Sequence, residues 1–560
     1  MDANEPANAA QWLALLAWWV LVLTVPASFA LALWFRRRYV RAVVRLQSQT
    51  AAMQSGEPAA RSGPPTSAPK NLTITVSDAV GVAEHAAIRS ALRLRRRVLR
   101  AQFVSGLFFW WGILICIYGA IPQAAASAAP DSPILPWLGW LLLFAPAVVA
   151  WAVQGGISNR VIWFAAAALG GILSIAFAAY ATDWLVGGLG IAFVALLALM
   201  GAAILGPSAR GAGPSLMAAF SQGSIVLVGL CAIFVLGVPE RADATTAENI
   251  LAATFLLIAL GVAMSVSWHA LHRIVRSYES KRCSELQVAL NGYWNLIALA
   301  GFAIALSMSL SLPGAAAGDA PIWAGLAVLV CYIAFRLVLR TWLRIVVRRA
   351  GSPLGPLLLL RVFKGSSASE AFMDRFLAYW RFAAPVWMIG GPDLAGAQME
   401  PRQFFAFLRR RLDRLFVQSS VEISERVRQM DSERDPDARL RISELFCSNS
   451  TWQATVLALL ERAAVVILDL REYTVAHAGT RYEIFEIMNI APIEKLIVLI
   501  GVRDNEQVIV TELRTAWNAM HETSPNRRAT APAIRVLRFH ANRGAEIRGL
   551  FAVAASLASA

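Results

Sequence analysis

The sequence predicts an integral membrane protein in two parts: about nine transmembrane helices, then an α/β domain with a doubly wound, mostly parallel sheet. Of its 560 residues 57% are hydrophobic, and the mean hydropathy of +0.55 exceeds that of ordinary soluble domains. Apolar runs long enough to cross a membrane recur as far as residue 338. After Gly351 they give way to short apolar runs that alternate with amphipathic helices.

Residues 1–102 are predicted to form a membrane anchor and a basic cytoplasmic loop. The apolar run 12–34 follows an acidic amino terminus and ends at three consecutive arginines from Arg36, which indicates an uncleaved anchor with its amino terminus outside. Pro26 within the run predicts a kink. Residues 56–70 are rich in Ser, Gly, Pro and Ala, and a basic helix follows, as is typical of a tether.

Residues 103–350 form the multi-pass region. Its eight predicted spans are residues 103–120, 135–153, 161–181, 185–205, 216–238, 250–271, 296–312 and 322–338. Basic loops alternate with acidic loops from one side to the other, which predicts that the C-terminal domain lies in the cytoplasm. The spans carry no deeply placed charged residue, only weak polar groups such as Ser221, Gln222 and Ser224. This pattern argues against an ion-coupled transporter.

The last span leads into a basic helix, residues 335–350. Its arginines Arg336, Arg340, Arg344 and Arg348 recur every four residues and share one broad face. Two interpretations stay open: a positive flank that fixes the topology, or a relay between the two halves of the chain.

The net charge of +15 belongs mostly to segments beside the predicted spans. From Gly351 onward basic and acidic residues nearly balance, so the expected partner is the lipid bilayer and not nucleic acid. The five cysteines lie far apart in the sequence and form no pair with metal-ligand spacing. We therefore expect neither a disulfide framework nor a metal site, and the sequence names no cofactor.

Residues 351–560 are predicted to form the cytoplasmic domain. Its expected strands are residues 357–363, 386–389, 440–447, 464–470, 495–501 and 534–539, with helices between them. A charged segment, residues 418–437, interrupts this alternation. About two hundred residues suffice for one core of this kind.

Ligands of an open parallel sheet gather beyond the carboxyl ends of its strands. The turn Gly390-Gly391-Pro392-Asp393 follows one predicted strand and offers backbone amides to a phosphate, or is a tight turn without a ligand. Asp469 ends another strand, where it binds a ribose or pairs with Arg471. Both alternatives stay open for each position.

Glu483 is the candidate catalytic residue. Thr480 and Glu483 have the T-x-x-E spacing of a capping box, and Ser450 and Gln453 have the related S-x-x-Q spacing one helix earlier. A structural capping role and a catalytic role are therefore both open for Glu483.

The succession STWQATVLALLERAAVVILDLREYTVAHAGTRYEIFEIM, followed by LIVLIGVRD, resembles the second half of a TIR-like domain, over residues 441–502. In TIR-type NAD-cleaving enzymes a glutamate on such a helix is catalytic, and the resemblance implies Glu483, with Glu486 as a weaker alternative. The whole arrangement is also similar to bacterial multi-pass membrane proteins that carry such a cytoplasmic domain.

These observations favour a membrane-anchored signalling or interaction module whose cytoplasmic domain binds a nucleotide-like ligand or associates with its own copies. Two alternatives belong to other classes. In one, the protein is a membrane-anchored NAD-cleaving hydrolase that uses Glu483, Asp469, Arg471 and the Gly390–Asp393 turn. In the other, it is a transporter with a regulatory α/β domain.

Overall fold

The computed structural model describes residues 9–52, 71–78, 86–119, 147–148, 150–151, 212–237, 246–310, 320–361, 367–390, 401–417, 419–447, 451–539 and 544–559. The chain divides into two compact units. The first, here called the helical unit, comprises Met1–Arg38, Val98–Ile345 and Gln398–Phe405. The second, the sheet unit, comprises Tyr39–Arg97, Val346–Ala397 and Ala406–Ala560.

Six long helices are described between residues 9 and 348. They are α1 (Ala9–Ala52), α2 (Ala86–Gly119), α3 (Ala212–Gly237), α4 (Thr246–Glu279), α5 (Glu285–Leu310) and α6 (Ala320–Arg348). Three segments among the described residues are long and apolar enough to cross a membrane: Ala86–Cys116, Ala212–Cys231 and Ile250–Glu279. These three segments support the assignment of a membrane protein, whereas the count of nine spans stays a prediction. The predicted spans 161–181 and 185–205 lie outside the described residues, as does most of 135–153.

Glycines let neighbouring helices of the helical unit approach closely. A Cβ on Gly106 of α2 would lie 2.5 Å from Cζ2 of Trp294 on α5, and one on Gly292 would lie 3.1 Å from the backbone nitrogen of Ala218 on α3. Small residues at helix crossings are the usual means of packing helices in lipid, where burial in a neighbouring helix gains little hydrophobic free energy.

The sheet unit contains eight parallel strands. They are β1 (Thr73–Asp78), β2 (Leu357–Arg361), β3 (Val386–Gly390), β4 (Phe416–Val417), β5 (Ile442–Cys447), β6 (Val465–Asp469), β7 (Leu496–Gly501) and β8 (Ala533–Phe539). Their spatial order is β1-β8-β7-β6-β2-β3-β5-β4. The prediction of a doubly wound, parallel sheet is confirmed. Its central strands are continuous apolar runs because both faces are covered.

The order of six of these strands defines a switch point. Without the edge strands β1 and β4, and numbered along the chain, the remaining strands follow the order 3-2-1-4-5-6. This is the order of doubly wound sheets that bind dinucleotides where the strand order reverses. In this sheet the reversal lies between β2 and β6, which pair from Leu357↔Val465 to Arg361↔Asp469.

Helices cover both faces of the sheet. One face packs against α7 (Ser367–Trp380) and α13 (Gly544–Ser559), where the Trp380 and Phe551 rings lie 5.0 Å apart. The other face packs against α9 (Ser420–Arg428), α10 (Trp452–Leu460), α11 (Ala478–Ile490) and α12 (Glu506–Asn518). The short helix α8 (Pro401–Leu408) precedes this second group in the chain.

The edge strand β1 comes from the segment that the sequence assigned to a tether. It pairs with β8 from Thr73↔Ala533 to Asp78↔Arg538. Ile74 and Val76 point inward and pack against the core of the sheet unit, while the residues between them are exposed. The sheet unit therefore extends into the predicted N-terminal region.

The charged segment 418–437 contains α9, followed by a turn in which a buried carboxylate binds an arginine. Asp435 is 1% exposed and accepts hydrogen bonds from Nε of Arg441 at 3.0 Å and 3.1 Å. Burial raises the pKa of Asp435 to about 6, although the bond from Arg441 opposes this shift. Ala438 adopts a left-handed φ of 66° in the same turn, which brings the chain back into β5.

Candidate functional site

The carboxyl ends of β2, β3 and β6 meet beside the switch point. Arg361 and Asp469 are register partners in neighbouring parallel strands, so their side chains leave the same face of the sheet. Gly390 ends β3 on that face, and α7 begins beside this edge at Ser367. Gly391 and Asp393, the other ligand-binding candidates of the predicted turn, lie outside the described residues.

Gly390 has a packing reason to be glycine. A Cβ at this position would lie 2.8 Å from Cε1 of Phe446, its register partner on β5. Such a contact is too short for any real side chain, so only glycine fits beside the Phe446 ring. This close approach neither requires nor excludes a phosphate at the turn.

Asp469 and Arg471 form a bidentate ion pair at the end of β6. Nε of Arg471 donates to Oδ1 at 2.8 Å, and Nη2 donates to Oδ2 at 2.6 Å. Asp469 is 2% exposed and the Arg471 side chain 12% exposed, so water screens the pair little. The guanidinium carbon of Arg471 also lies 4.3 Å from the ring centroid of Phe372 on α7. Of the two roles open for Asp469, pairing with Arg471 is thus observed.

Phe372 belongs to the site although sequence reasoning missed it. The Phe372, Phe376 and Trp380 rings stack in succession along α7, and Phe372 meets Phe539 of β8 edge-on at 4.8 Å. Their i, i+4, i+8 spacing was visible in the sequence and could have located the aromatic wall that holds Arg471.

Other residues at this edge fix the loops. Asp504 accepts hydrogen bonds from the backbone amides of Gly501, at 2.6 Å, and of Glu472, at 3.2 Å. Arg538 pairs with Glu506 at 2.5 Å and with Asp78 at 3.8 Å. Both carboxyl-end side chains are therefore engaged in tying neighbouring loops together.

Glu483 lies inside α11 and not at its first turn. The helix begins at Ala478 with His477 as its N-cap, which makes no side-chain capping bond, so the expected T-x-x-E capping box is wrong. Ser450 of the expected S-x-x-Q box lies outside the described residues, and the N-cap position of α10 is Thr451, whose hydroxyl donates to the carbonyl of Val417 at 2.9 Å. In both cases the helix starts at a residue that the spacing did not select.

The Glu483 carboxyl is enclosed by the apolar core. It is 2% exposed, and its Oε2 has no hydrogen-bond partner among the described residues, as is also true of Oγ1 of Thr480. This burial raises the pKa of Glu483 to about 8, because the charged form loses its hydration. The side chain is therefore protonated at neutral pH.

The predicted site residues separate onto two faces of the sheet. Val466 and Leu468 of β6 belong to the core cluster that includes Ile484 and Ile487 of α11. Alternate residues of a strand point to opposite faces, so Asp469 leaves the sheet on the α7 face, away from α11. The structure thus brings Asp469 and Arg471 together on the face of Gly390 and places Glu483 on the other face.

Two of the polar residues predicted inside the helical unit, Ser221 and Ser224, bind polar side chains of neighbouring helices. Ser221 Oγ accepts from Nδ2 of Asn295 at 2.9 Å, and the hydroxyls of Ser224 and Thr24 lie 2.7 Å apart. Tyr332 donates to Asn295 in turn, and Arg336 donates to the Tyr332 oxygen at 2.9 Å. These bonds join α1, α3, α5 and α6, as polar residues commonly do between membrane helices.

No group of three or more His, Cys, Asp or Glu side chains that could hold a metal ion occurs in the described part of the chain. Comparisons with protein-family models, with curated proteins and with solved structures each found no match. The TIR-like resemblance accordingly stays a prediction.

Proposed function

We propose that the protein is a multi-pass membrane protein whose sheet unit binds a nucleotide-like ligand at the switch point. In this proposal nine helices span a bacterial inner membrane, the amino terminus lies outside and the sheet unit lies in the cytoplasm. Three apolar helices support the membrane assignment, and the alternation of loop charges supports the orientation.

The observation that carries the ligand proposal is the ion pair of Asp469 and Arg471 at the point where the strand order reverses. Ligands of doubly wound sheets bind in this crevice. Arg471 is held with its plane fixed by Asp469 and Phe372, so a positive charge of fixed orientation lies at the switch point, where it favours a phosphate. The amino end of α7 adds backbone amides that favour an anion there.

Asp469 supplies the complementary contact to a ribose. Oδ1 accepts from both the backbone N–H and Nε of Arg471, whereas Oδ2 accepts only from Nη2 and has a second lone pair to which a ribose hydroxyl would donate. A ligand with both phosphate and ribose therefore matches the residues at this edge. The proposed output is signalling, through ligand binding or through contact between TIR-like surfaces of two copies.

Calorimetry on the full-length protein in detergent tests this proposal, with ATP, GTP, NAD and the matching nucleosides as probes. We expect at least one phosphate-bearing probe to bind and its nucleoside to bind much more weakly. Arg361→Gln and Arg471→Gln should each weaken binding, whereas Arg503→Gln, an exposed arginine after β7, should not. Absence of binding by every probe, or equal losses in all three variants, would refute the assignment.

The NAD-cleaving alternative depends on Glu483, whose buried and unpartnered Oε2 marks it as a candidate for function. Incubation of the full-length protein with NAD, free and clustered on a solid support, tests it. Hydrolysis that disappears in Glu483→Gln without loss of folding would favour the enzyme. If no hydrolysis occurs in either form, this alternative fails while nucleotide binding stands.

A further inference from the structure

The helix α4 ends in a compact turn that reverses the chain. The Arg282 N–H donates to the carbonyl of Ser277 at 2.7 Å, and the Lys281 N–H donates to the carbonyl of Tyr278 at 3.1 Å. These are the two bonds of a Schellman motif, whose left-handed position is usually glycine. Lys281 occupies it with φ of 54°, at a cost of about 1 kcal/mol for a residue with a Cβ. The turn places Arg282 back beside the last turns of α4.

A basic cavity of about 290 Å³ lies at this turn. Its lining consists of Arg273, Arg276, Ser277, Ser280 and Arg282. The first three share one face of α4 by their i, i+3 and i+4 spacing, Ser280 follows the last residue of the helix, and the turn adds Arg282.

The cavity is electropositive, although the exposed Glu279 lies in the last turn of α4 between Arg276 and Arg282. Its three guanidinium groups are exposed, and within the part of the chain that the structure describes none forms an ion pair with a carboxylate. The negative end of the α4 dipole favours cations at this position, but it neutralises only about half a charge. An anion is thus the group that this cavity lacks.

The cavity lies next to the exposed apolar surface of α4. The exposed apolar residues of α4 include Ile250, Leu251, Leu257, Ile258, Met264 and Trp268. Trp268 is 55% exposed and meets His272 edge-on at 4.7 Å. Exposed tryptophans mark the boundary between lipid and water, and Arg273 lies five residues, or about 8 Å of helix, beyond it. With α4 inserted as proposed above, the cavity would lie at the depth of lipid headgroups.

We propose that this cavity binds the phosphate of an anionic phospholipid. A guanidinium group donates two parallel hydrogen bonds to two oxygens of one phosphate. The hydroxyls of Ser277 and Ser280 supply neutral donors. A lipid fits better than a free phosphate, because its acyl chains would lie along the exposed apolar residues of α4. The inference rests on the proposed membrane insertion of α4 and is independent of nucleotide binding.

Native mass spectrometry of the full-length protein tests this inference, after exchange into detergent with added phosphatidylglycerol or phosphatidylcholine. We expect phosphatidylglycerol to bind about tenfold more tightly than phosphatidylcholine, and Arg276→Gln/Arg282→Gln to abolish this preference. Arg276→Lys/Arg282→Lys keeps the charge and should retain part of the preference. The control Arg344→Gln/Arg348→Gln removes two exposed arginines from α6 and should leave the preference unchanged.

Three outcomes would overturn the site. They are equal affinity for the two lipids, an equal loss in the α6 control, and displacement of the lipid by millimolar inorganic phosphate, which would indicate a free-phosphate site. Carbonate extraction of membranes reports insertion separately, so failure of the membrane assignment is distinguishable from failure of the lipid site. The unfolding temperature of each variant reports whether it is folded.

Discussion

The Arg471 guanidinium donates one hydrogen bond to each carboxylate oxygen of Asp469, at 2.8 Å to Oδ1 and 2.6 Å to Oδ2. Asp469 is 2% exposed, and a carboxylate so enclosed is costly unless a well-aligned cation binds it. The pair closes the carboxyl end of β6, beside the reversal of strand order. A ligand that arrives there meets a guanidinium whose orientation is already fixed, which reduces the entropy lost on binding.

Substitution of one partner of this pair should lower the free energy of unfolding more than substitution of both partners. Arg471→Met leaves the buried carboxylate without its cation, and we expect the free energy of unfolding to fall by about 3 kcal/mol. Asp469→Asn/Arg471→Met should recover much of the loss, because the buried charge is gone. Thermal unfolding of the detergent-solubilised protein measures both, with the exposed Arg503→Met as control. A double variant no better than Arg471→Met would contradict the pairing.

The buried Glu483 should make stability depend on pH. Burial raises its pKa to about 8 from an ordinary value of 4.5, so the folded chain keeps a proton that the unfolded chain has released. The free energy of unfolding should therefore fall as the pH rises from about 4.5 to about 8, and stay lower above that range. The total change from this group is on the order of 5 kcal/mol.

Glu483→Gln removes this titration and keeps the shape of the side chain. We expect the variant to be more stable than the natural protein at pH 9 and to approach it at pH 5, as measured by unfolding temperature. Glu486→Gln, on a less buried part of the same helix, serves as the control and should follow the natural profile. If the unfolding temperatures of the natural protein and of Glu483→Gln changed with pH in the same way, Glu483 would not be buried as described.

The sequence predicted most of the sheet because its central strands are buried on both faces. Runs such as VVILD in β6 and LIVLIG in β7 are apolar throughout, and this pattern marks strands of a covered parallel sheet. β1 was missed because TITVSD is half exposed and pairs with β8, which lies far along the chain. Local patterns carry no information about a partner at such a sequence separation.

The sequence predicted the candidate site only in part, because a local pattern does not show on which face of the sheet a side chain emerges. The position of Asp469 at a strand end follows from the apolar run before it, and its pairing with Arg471 is local. The face on which a side chain emerges depends on strand register and on where each helix begins. The structure starts α11 at Ala478, and this start places Glu483 in the core. Spacing alone selected Thr480 as the cap.

The edge strand β1 should contribute to the stability of the sheet unit. Ile74 and Val76 pack against its core, so Ile74→Ala and Val76→Ala should each lower the free energy of unfolding by about 1 kcal/mol. Thr75→Ala, an exposed position on the same strand, should change it by less than about 0.5 kcal/mol. A fragment that begins at Gly351 lacks β1 and exposes the edge of β8, so we expect it to self-associate in light-scattering measurements.

Two glycines of α3 should respond to alanine with opposite signs. A Cβ on Gly223 would lie 2.6 Å from the backbone carbonyl oxygen of Ala263 and would also collide with Ser267, so α3 and α4 would have to separate. Such overpacking typically lowers the free energy of unfolding by about 1–3 kcal/mol, which is enough to lower the unfolding temperature measurably. Gly229 has nothing within 4 Å, and there alanine should be neutral or add up to about 1 kcal/mol of helix propensity.

Both variants add the same methyl group to the same helix, so any difference between them reports the local packing and not the chemistry of the substitution. Thermal unfolding in detergent, followed by tryptophan fluorescence, measures the two side by side. The close approach of α3 and α4 predicts a lower unfolding temperature for Gly223→Ala and no decrease for Gly229→Ala. Equal unfolding temperatures for the two variants would mean that α3 and α4 do not meet closely at Gly223.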